Sequence, residues 1–336
     1  MTSESRIVKH LFIINPNSFR HKWKQDMVIA DIHKFFNSIK NNNYHIHFSR
    51  FPRDATGFIP FFAGDLPREI TLRVYAVGGD GILFDCLNGI MDLENAELAA
   101  IPYGRTNNFI RGFGKNNKSL FRSIPLQYGA PAVPMDVIRC GNNYALDYCI
   151  AGMEADALRR TLKIRERMEN GNTLTQWLSR RLYTFLYLAG AFATYLDGKL
   201  LHRQYDVEID GKTTGGFLWT VSVFNGSYYG GSLHPVNNAM PNDGILDILL
   251  IRGRGGLKAF FLLPFYLSGR YKKFPRIFTY KQGGKINIRS DSHLIVSMDD
   301  QVFCENELAM ELLPSAVNFV DAGRQGYKGG GDDRTR

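Results

Sequence analysis

The stretch from Val77 to Gly89 reads Val-Gly-Gly-Asp-Gly-Ile-Leu-Phe-Asp-Cys-Leu-Asn-Gly and decides how the first part of this chain folds. An extended apolar approach ends in two glycines, an aspartate and a third glycine, and a helix-like segment follows. Glycine lets the backbone approach a ligand closely, and backbone N–H groups at the start of a helix form an anion site that the helix dipole favours. The turn therefore predicts a phosphate-binding loop, with Asp80 placed to reach a metal ion or a hydroxyl beside the phosphate. Because ordinary tight turns also favour Gly and Asp, the tetrapeptide alone does not settle the function.

The composition indicates a folded, cationic chain. With 336 residues, 44% of them hydrophobic and 22% charged, the chain is long enough for two domains with a sizeable core. Its formal net charge of +9 favours anionic partners such as nucleotide phosphates, acidic lipid surfaces or nucleic acid, although solubility alone also explains the charge. The cysteines show neither disulfide nor zinc-site spacing and are predicted to be free thiols in a reducing cytosol: Cys86, Cys140, Cys149 and Cys304.

The apolar stretches predict neither export nor a membrane span. The run Leu11–Ile14 is too brief for a signal peptide, and Leu182–Leu196 falls short of the ~20 residues that cross a bilayer. We therefore expect a cytoplasmic protein. Residues 323–336, rich in glycine and charge, have little to bury and are predicted to be a mobile tail.

The first third of the chain alternates extended apolar segments with helix-like ones. This rhythm predicts parallel strands joined by crossover helices, in a nucleotide-binding α/β domain over residues 1–134. The predicted strands are His10–Ile14, Tyr44–Phe48, Leu72–Val77 and Leu98–Ile101, and the predicted helices are Val28–Ile39 and Leu83–Met91. Since ligands bind beyond the carboxyl ends of the strands in such sheets, we expect the loops that begin at Asn15, Gly78 and Pro102 to line one rim.

The pattern of predicted strands and helices changes near Pro131 and Pro134. Short alternating strands separated by turns follow, which predicts a second, largely antiparallel domain over residues 135–322. Helical insertions are expected within it at Ala157–Leu201 and Leu257–Gly269.

Motifs along the chain resemble, in the same order, those of the diacylglycerol and sphingosine kinase superfamily of soluble lipid kinases. They lie between about Phe12 and Val320, and although one match could arise by chance, a full ordered series does not. The motifs are Asn15-Pro-Asn-Ser18, Gly78-Gly-Asp-Gly81 through Asn88-Gly89, Ile101-Pro-Tyr-Gly104 with Asn107, Phe109 and Arg111, Met135-Asp136-Val137, Ala151-Gly152 to Asp156-Ala157, Phe224-Asn-Gly-Ser-Tyr-Tyr-Gly-Gly231, and Asn242-Asp-Gly-Ile-Leu-Asp247. NAD kinases and phosphofructokinases share the Gly-Gly-Asp-Gly loop, but the last two motifs favour a lipid kinase.

The resemblance implies a fold and an activity. The fold would be an N-terminal Rossmann-like α/β domain of the phosphofructokinase and NAD kinase kind, followed by an antiparallel β-sandwich-like domain with helical insertions. The activity would be transfer of the γ-phosphoryl group of ATP to the hydroxyl of a diacylglycerol-like lipid, with Mg²⁺ and with the nucleotide in the cleft between the domains. The protein would be peripheral at the inner membrane surface, with a homodimer as a possible assembly. Nucleic acid is not expected as a partner, because the sequence contains no recognisable module that binds it.

The resemblance also implies site residues. Asp80 and Asp136 would organise the metal ion and the attacking hydroxyl, and Gln301 would occupy the position of the family's general base. Nucleotide contacts would come from Asn15, Pro16, Asn17, Ser18, Ser49, Gly78, Gly79, Gly81, Asp85, Gly104, Arg105 and Asn107. A structural Mg²⁺ site would consist of Asp243 with the carbonyls of Met240 and Ile245.

Several positions differ from the family's motifs, and some of the differences remove a carboxylate or a hydroxyl that the family uses. Ile82 replaces a threonine in the phosphate loop, and Arg105, Thr106 and Asn108 stand where Thr, Gly and Asp are usual. Gln301 replaces the glutamate that serves as general base, and a neutral amide can orient a hydroxyl but cannot take its proton. Two functions therefore stay open: an active lipid kinase with an altered site, or a nucleotide- or lipid-binding homologue that has lost phosphoryl transfer.

Some of these residues also have an ordinary structural explanation. Asp136 and Asp243 could bond the backbone of turns, and Arg105 could be a solvated charge rather than a phosphate clamp. The basic residues beside apolar ones in Leu158–Met168 and Leu257–Lys281 are typical of a surface that meets an anionic membrane. A buried helix with a solvated basic end predicts the same pattern.

Overall fold

The computed structural model describes residues 7–114, 117–169, 190, 192–194, 204–230, 233–253, 262, 265–266 and 268–329. The chain forms two compact units, each built from segments that are not contiguous in sequence. The first unit comprises Met1–Asp147, Asn225–Gly244 and Leu313–Arg336, and the second comprises Tyr148–Phe224 and Ile245–Leu312.

The first unit is an α/β domain built on a parallel sheet. Its strands are β1 (Val8–Ile14), β2 (Tyr44–Phe48), β3 (Thr71–Gly78), β4 (Ala96–Pro102), β5 (Ala132–Cys140) and β6 (Asn143–Ala145). Its helices are α1 (Lys22–Ser38), α2 (Asp54–Gly64), α3 (Asp80–Ile90), α4 (Asn108–Arg111), α5 (Lys118–Arg122) and α6 (Ile124–Gly129). The first four strands are parallel in the order β2-β1-β3-β4, and the last residues of a long later strand, Asn318 and Phe319, pair in parallel with β4. The predicted parallel sheet with crossover helices is confirmed.

The apolar pattern of the sequence explains this layering. Every residue of β3 and β4 is buried, as expected for strands that are covered by helices on both faces. α1 buries Val28, Ile32 and Phe36, which repeat at the spacing of one helix face, and packs them beside Phe12 and Tyr75. α2 and α3 contribute to a second cluster, which lies on the other face of the sheet.

The second unit is antiparallel and rich in strands. Its elements are β7 (Tyr148–Gly152), α7 (Met153–Glu169), β8 (Gln204–Ile209), β9 (Lys212–Phe224), β10 (Leu246–Arg252), β11 (Phe278–Gly283), β12 (Lys285–Met298) and the first part of β13 (Gln301–Val320). The strand order is β11-β10-β9-β7-β12-β13. β8 pairs with one end of β9 and β12, and β7 pairs with their other end. The two long strands therefore change partners along their length, which produces the predicted sandwich-like fold.

The two units differ from the predicted domain boundaries. The sequence places residues 135–322 in one domain, whereas residues 135–147, 225–244 and 313–322 belong to the first unit. Long-range bonds hold these segments together: the amide of Asp136 donates to Pro241 O at 2.6 Å, and the amide of Asp321 donates to Pro131 O at 3.0 Å. Residues that are bonded over such long separations in sequence cannot be recognised from the local strand pattern.

The predicted helical insertions lie only partly within the described residues. The start of the first one is helical as part of α7, which begins earlier than predicted, at Met153. Most of the remainder up to Leu201, and most of Leu257–Gly269, lies outside the described residues. Within the part of the chain that the structure describes, every helix is too short or too polar to span a bilayer.

The last described residues are packed against the first unit. Tyr327 is 5% exposed, and the amides of Lys328 and Gly329 donate to Gly112 O at 2.7 and 3.2 Å. The expectation that residues from 323 onward bury little is therefore corrected for residues 323–329, because one tyrosine supplies the buried apolar surface. Residues 330–336 lie outside the described range.

His10 is a buried neutral histidine in the core of the first unit. Its Nδ1 lies 2.8 Å from the Tyr75 hydroxyl, and its ring stacks on Tyr128 with centroids 5.0 Å apart. Burial, followed by the nearby charges of Arg73 and Lys9, lowers the pKa of His10 to about 3. In the unfolded chain His10 is protonated below about pH 6.5, whereas in the folded chain it stays neutral down to about pH 3. The free energy of unfolding therefore falls as pH drops from about 6.5 to about 3.

We expect His10→Gln to remove this part of the pH dependence. Between pH 7.5 and pH 5, wild type should lose about 2 kcal/mol more unfolding free energy than the variant, as measured by urea denaturation. His21→Gln, which changes an exposed histidine just before α1, is the matched control and should keep the wild-type slope. Equal slopes in wild type and His10→Gln would contradict the burial of a neutral His10.

Candidate nucleotide site

Loops after three adjacent parallel strands meet at one edge of the sheet in the first unit. β1, β3 and β4 end side by side because their last residues pair in register. The amide of Asn15 donates to Val77 O at 3.1 Å, and the amide of Gly104 donates to Gly78 O at 2.8 Å. The predicted convergence of these loops on one rim is confirmed.

Glycine is required where the loops touch. A Cβ atom on Gly79 would lie 3.0 Å from Gly104 Cα, and a Cβ atom on Gly104 would collide with the backbone of Gly79. A Cβ atom on Gly78 would lie 2.7 Å from Ser18 Oγ, so the loop after β1 closes over the same turn. A side chain at any of these glycines would push the loops apart.

The loop after β1 is a short 3₁₀ helix, Pro16–Ser18. Asn15 caps it, because the amide of Asn17 donates to Asn15 Oδ1 at 3.0 Å. The amide of Ser49, which follows β2, donates to Ile14 O at 2.9 Å and lies beside this loop. These predicted nucleotide contacts therefore belong to the same rim.

α3 begins inside the phosphate-loop sequence. Asp80 is its first residue, Gly81 lies in its first turn, and Gly79 is an N-cap without a side-chain hydrogen bond to the helix. The first amides of a helix have no partner within the helix and attract anions. A helix of 11 residues that starts without a capping side chain supplies this kind of anion site.

The carboxylate of Asp80 binds the loop that follows β4. Its Oδ2 accepts the Thr106 hydroxyl and the amide of Asn107, the latter at 2.7 Å, and its Oδ1 accepts the amide of Asn108 at 2.6 Å. Burial raises the pKa of Asp80, and the hydrogen bonds from the loop oppose that rise. Asp80 therefore holds the Gly104 loop against the phosphate loop, and a buried carboxylate with a perturbed pKa is also common at functional sites.

The loop after β4 has its own local supports. Asn107 adopts a left-handed backbone with φ 49° and donates through Nδ2 to Gly104 O at 2.7 Å. Arg111 Nε donates to Thr106 O at 2.9 Å. Arg105 is exposed in this loop, and its role as a phosphate clamp stays a prediction.

Asp136 lies in the first unit, where backbone groups use its carboxylate. It is 3% exposed, Oδ1 accepts the amide of Ser315 at 2.8 Å, and Oδ2 accepts the amide of Gly244 at 2.8 Å. Asn225 donates through Nδ2 to the carbonyl of Asp136 at 2.9 Å. In the structure the Asp136 carboxylate therefore bonds backbone amides, which is the structural explanation that the sequence left open. A catalytic role for Asp136 stays a prediction.

The carboxylate of Asp85 bonds the backbone at the start of α2. Its Oδ2 accepts the amide of Arg53 at 3.0 Å, directly before α2 begins, and the Thr56 hydroxyl donates to its carbonyl at 3.0 Å. Burial raises the pKa of Asp85. These bonds join α3 to α2, and the predicted contact of Asp85 with nucleotide stays a prediction.

Gln301 belongs to the second unit and begins β13 directly after a tight turn. Asp299 and Asp300 form the turn with φ values of 44° and 66°, and Gln301 pairs with Met298 across it. The Tyr148 hydroxyl donates to Asp300 Oδ1 at 2.7 Å. The acidic group beside Gln301 is thus bonded to a buried tyrosine.

The Mg²⁺ that the resemblance implies requires oxygen ligands. Among the described residues, no three His, Cys, Asp or Glu side chains cluster as a metal centre. A carboxylate has about four lone-pair sites, and hydrogen bonds from the Gly104 loop use three of those of Asp80. Since Mg²⁺ is commonly held by one or two carboxylates together with substrate phosphates, Asp80 fits an ion that arrives with a nucleotide. The second predicted set combines the exposed Asp243 with the Met240 and Ile245 carbonyls, which are oxygen donors of the type Mg²⁺ prefers.

The sequence did not predict the contacts of Thr106 and Tyr327. The sequence shows Thr106 only as a departure from the family's glycine, whereas its hydroxyl binds Asp80. Tyr327 lies in the predicted tail, yet its hydroxyl accepts the amide of Ser227 at 3.0 Å. Thr106 and Asp80 are 26 positions apart, and Tyr327 and Ser227 are 100 positions apart, so no local pattern pointed to either contact.

The structure is similar to solved structures that include a diacylglycerol kinase. A diacylglycerol kinase from Bacillus anthracis str. Sterne superposes with a TM-score of 0.66 at 21% sequence identity, over 93% of this chain and 96% of that protein. The likeness shows that the chain has the diacylglycerol kinase fold: an α/β domain and a β-sandwich-like domain.

Sequence comparisons agree with the fold. The diacylglycerol kinase catalytic domain matches residues 9–140, and the YegS C-terminal NAD kinase beta sandwich-like domain matches residues 170–321. A relative from Shewanella frigidimarina (strain NCIMB 400), named "Probable lipid kinase YegS-like", is 27% identical over 258 residues, which are 74% of this chain and 76% of the relative. The chain belongs to the diacylglycerol kinase superfamily of lipid kinases.

Proposed function

We propose that the protein transfers the γ-phosphoryl group of ATP to the hydroxyl of a diacylglycerol-like lipid. The observation that carries the proposal is the meeting of the Asn15, Gly78 and Gly104 loops at the uncapped start of α3. Such a rim suits the phosphates of a nucleotide, because backbone amides and a helix N-terminus attract anions. Membership of a lipid kinase superfamily supports the choice of a lipid hydroxyl as acceptor.

The residues of the rim would act mainly by positioning. Gly78, Gly79 and Gly104 let the loops of the rim approach one another closely, and Asp80 keeps the Gly104 loop in place. Mg²⁺, when bound, would neutralise charge on the transferred phosphate. Arg105 would add a guanidinium to the same side of the rim.

The transfer forms a bond between the lipid hydroxyl oxygen and the γ-phosphorus and breaks the bond from that phosphorus to the β–γ bridging oxygen. ADP leaves with the electron pair, and the hydroxyl proton must go to a base or to water. Gln301 cannot accept this proton, so we infer that solvent takes it late in the reaction. Phosphoryl transfer tolerates this, since it depends more on positioning and charge than on proton abstraction.

We further propose that the protein meets its lipid as a peripheral protein at a membrane surface. In α7 the apolar Leu158 is buried and the helix packs on β7, which agrees with the buried-helix explanation of that basic segment. Strongly exposed aromatic side chains lie in the first unit, where Trp23 is 60%, Phe51 is 61% and Phe61 is 74% exposed. Trp23 lies in the first turn of α1, and Phe51 lies between β2 and α2. Both therefore come after strands that end on the phosphate-loop side of the sheet, and both have basic neighbours in sequence. Aromatic and cationic residues together favour an anionic lipid interface.

The proposal is tested by offering labelled ATP and a panel of lipids in vesicles to the purified protein. We expect a phosphorylated lipid product with wild type, and less than a tenth of that rate with Asp80→Asn, because an amide cannot accept all of the loop hydrogen bonds that Asp80 accepts. Asp210→Asn is the matched control: Asp210 also accepts backbone amides, from Gly284 and Lys285, but lies in a hairpin of the second unit. A rate that Asp80→Asn leaves unchanged would contradict the assignment.

A second function, nucleotide or lipid binding without transfer, is favoured by the replaced residues Ile82, Asn108 and Gln301. Restoring the family's residues with Ile82→Thr, Asn108→Asp and Gln301→Glu distinguishes the two. A gain of at least tenfold over an almost inactive wild type would support the binding protein. A wild type that already phosphorylates lipid, and that the restored variant does not exceed, would support the active kinase.

A further inference from the structure

Tyr327 lies between two segments of the first unit that bind the predicted catalytic aspartates. One segment begins at Asn108 and binds Asp80, and the other follows Asn225 and binds Asp136. Its ring centroid is 5.6 Å from that of Phe109 and 5.3 Å from that of Phe113, and a Cβ atom on Gly112 would overlap the ring. Its hydroxyl accepts the amide of Ser227 at 3.0 Å. One buried side chain therefore touches both segments.

The Phe109 side of this contact leads to Asp80. α4 starts at Asn108, whose amide donates to Asp80 Oδ1 at 2.6 Å, and Gly112 is the C-cap of the same helix. The amide of Lys328, next to Tyr327, donates to Gly112 O at 2.7 Å. The tyrosine and its neighbour thus fix one end of a short helix whose other end is held by Asp80.

The Ser227 side leads to Asp136. The Ser227 hydroxyl donates to Ala239 O at 2.6 Å, and two residues further on Pro241 O accepts the amide of Asp136 at 2.6 Å. The amide of Gly244, in the same loop, donates to Asp136 Oδ2 at 2.8 Å. These hydrogen bonds connect Ser227 to the loop that orients the Asp136 carboxylate.

We propose that Tyr327 is a positioning residue for phosphoryl transfer, which sets the Asp80 loop and the Asp136 loop relative to each other. The proposal rests on the proposed function, in which both aspartates organise the transfer. Burial, followed by the charge of Asp147, raises the pKa of Tyr327 well above its usual value, so the phenol stays protonated in ordinary assays. The hydroxyl oxygen accepts the bond from the Ser227 amide, so this contact does not require the phenol proton.

Tyr327→Phe removes only the hydroxyl and leaves the ring against Phe109 and Phe113. We expect kcat to fall about fivefold, the effect of one lost hydrogen bond, while KM for ATP changes less than twofold, because misplaced groups weaken the transition state more than nucleotide binding. Tyr327→Ala also removes the ring and should lower kcat at least twentyfold. Partial recovery by phenylalanine relative to alanine separates the ring's contribution from that of the hydroxyl.

Tyr75→Phe is the matched control. Tyr75 is also a buried tyrosine of the first unit with one hydrogen-bonded hydroxyl, 2.8 Å from His10, but it lies in the middle of β3. This variant should lose comparable thermal stability and keep kcat within twofold of wild type. A kcat that falls equally in both variants would mean that Tyr327 acts only through stability, and the proposal would be overturned.

Hydrogen exchange measured by mass spectrometry tests the coupling without any turnover. In Tyr327→Phe, amides of residues 107–113 and of residues 225–230 and 233–241 should all exchange several-fold faster than in wild type, with Tyr75→Phe as reference. Faster exchange confined to residues 323–329 would overturn the proposal. A wild type that phosphorylates no lipid would refute the proposed function, and hydrogen exchange would then decide the coupling alone.

Discussion

Gly104→Ala is expected to lower kcat/KM for ATP at least a hundredfold. The new Cβ atom would collide with the backbone of Gly79, and neither backbone can yield without moving the phosphate loop or the loop after β4. A displacement of about 1 Å in groups that position a reacting phosphate can reduce the rate 10²-fold. The measurement is steady-state kinetics with ATP as the varied substrate, together with calorimetric titration of ATP.

Gly57→Ala is the matched control for this substitution. A Cβ atom at Gly57, within α2, would meet nothing within 4 Å, so activity should stay at the wild-type level. Stability should rise by up to about 1 kcal/mol, because alanine is a better helix former than glycine. If Gly104→Ala retained wild-type kinetics with an intact fold, the contact between the two loops would have no part in nucleotide binding.

Arg73→Met is expected to lower the free energy of unfolding by about 3–5 kcal/mol, the usual effect of breaking a buried ion pair on one side. Arg73 Nε lies 2.7 Å from Glu97 Oε2, and the two side chains are only 9% and 6% exposed. Nη1 of the same guanidinium also donates to Gln127 O and Tyr128 O at 2.8 and 2.9 Å. The variant leaves a buried carboxylate and two carbonyls without their cationic donor, and urea denaturation measures the loss.

Two further variants show whether burial is the cause. Arg289→Met breaks an ion pair with the same 2.7 Å distance to Glu307, but the side chains there are 71% and 50% exposed, so a much smaller loss is expected. Arg73→Met/Glu97→Met replaces both buried charges by apolar groups and should recover a large part of the stability. Similar losses for Arg73→Met and Arg289→Met would refute the explanation by burial.

The sheet of the first unit was predictable because its signals are local. The run Leu72–Val77 is apolar except for Arg73, and Gly78 follows it directly. Strand periodicity and turn residues are patterns of a few neighbouring positions, so they can be recognised without knowing which strands pair in the folded protein. The convergence of the loops then follows from parallel pairing, since parallel strands share the edge at which they end.

The roles of the site residues required contacts that join distant positions. Asp80 appears in the sequence as a group for a metal ion or a hydroxyl, whereas its hydrogen bonds go to residues 106–108. Asp136 appears as a catalytic aspartate, whereas it bonds Ser315, which is 179 positions away. A carboxylate has several acceptor sites and a sequence does not show which donors reach them, so a structural and a catalytic role give the same residue pattern.

The sequence by itself determined the family, the parallel sheet and the glycine loops, because motif order, apolar runs and the need for glycine at a tight backbone approach are written in neighbouring residues. The tertiary structure alone decided that residues 225–244 and 313–329 belong with the first unit, that Asp80 and Asp136 bind backbone amides, and that Tyr327 is buried between them. The physical reason is the range of the interactions. Local propensity acts within a turn or a strand, whereas a hydrogen bond such as that from Ser227 to Tyr327, 100 positions apart, exists only after the chain has closed upon itself.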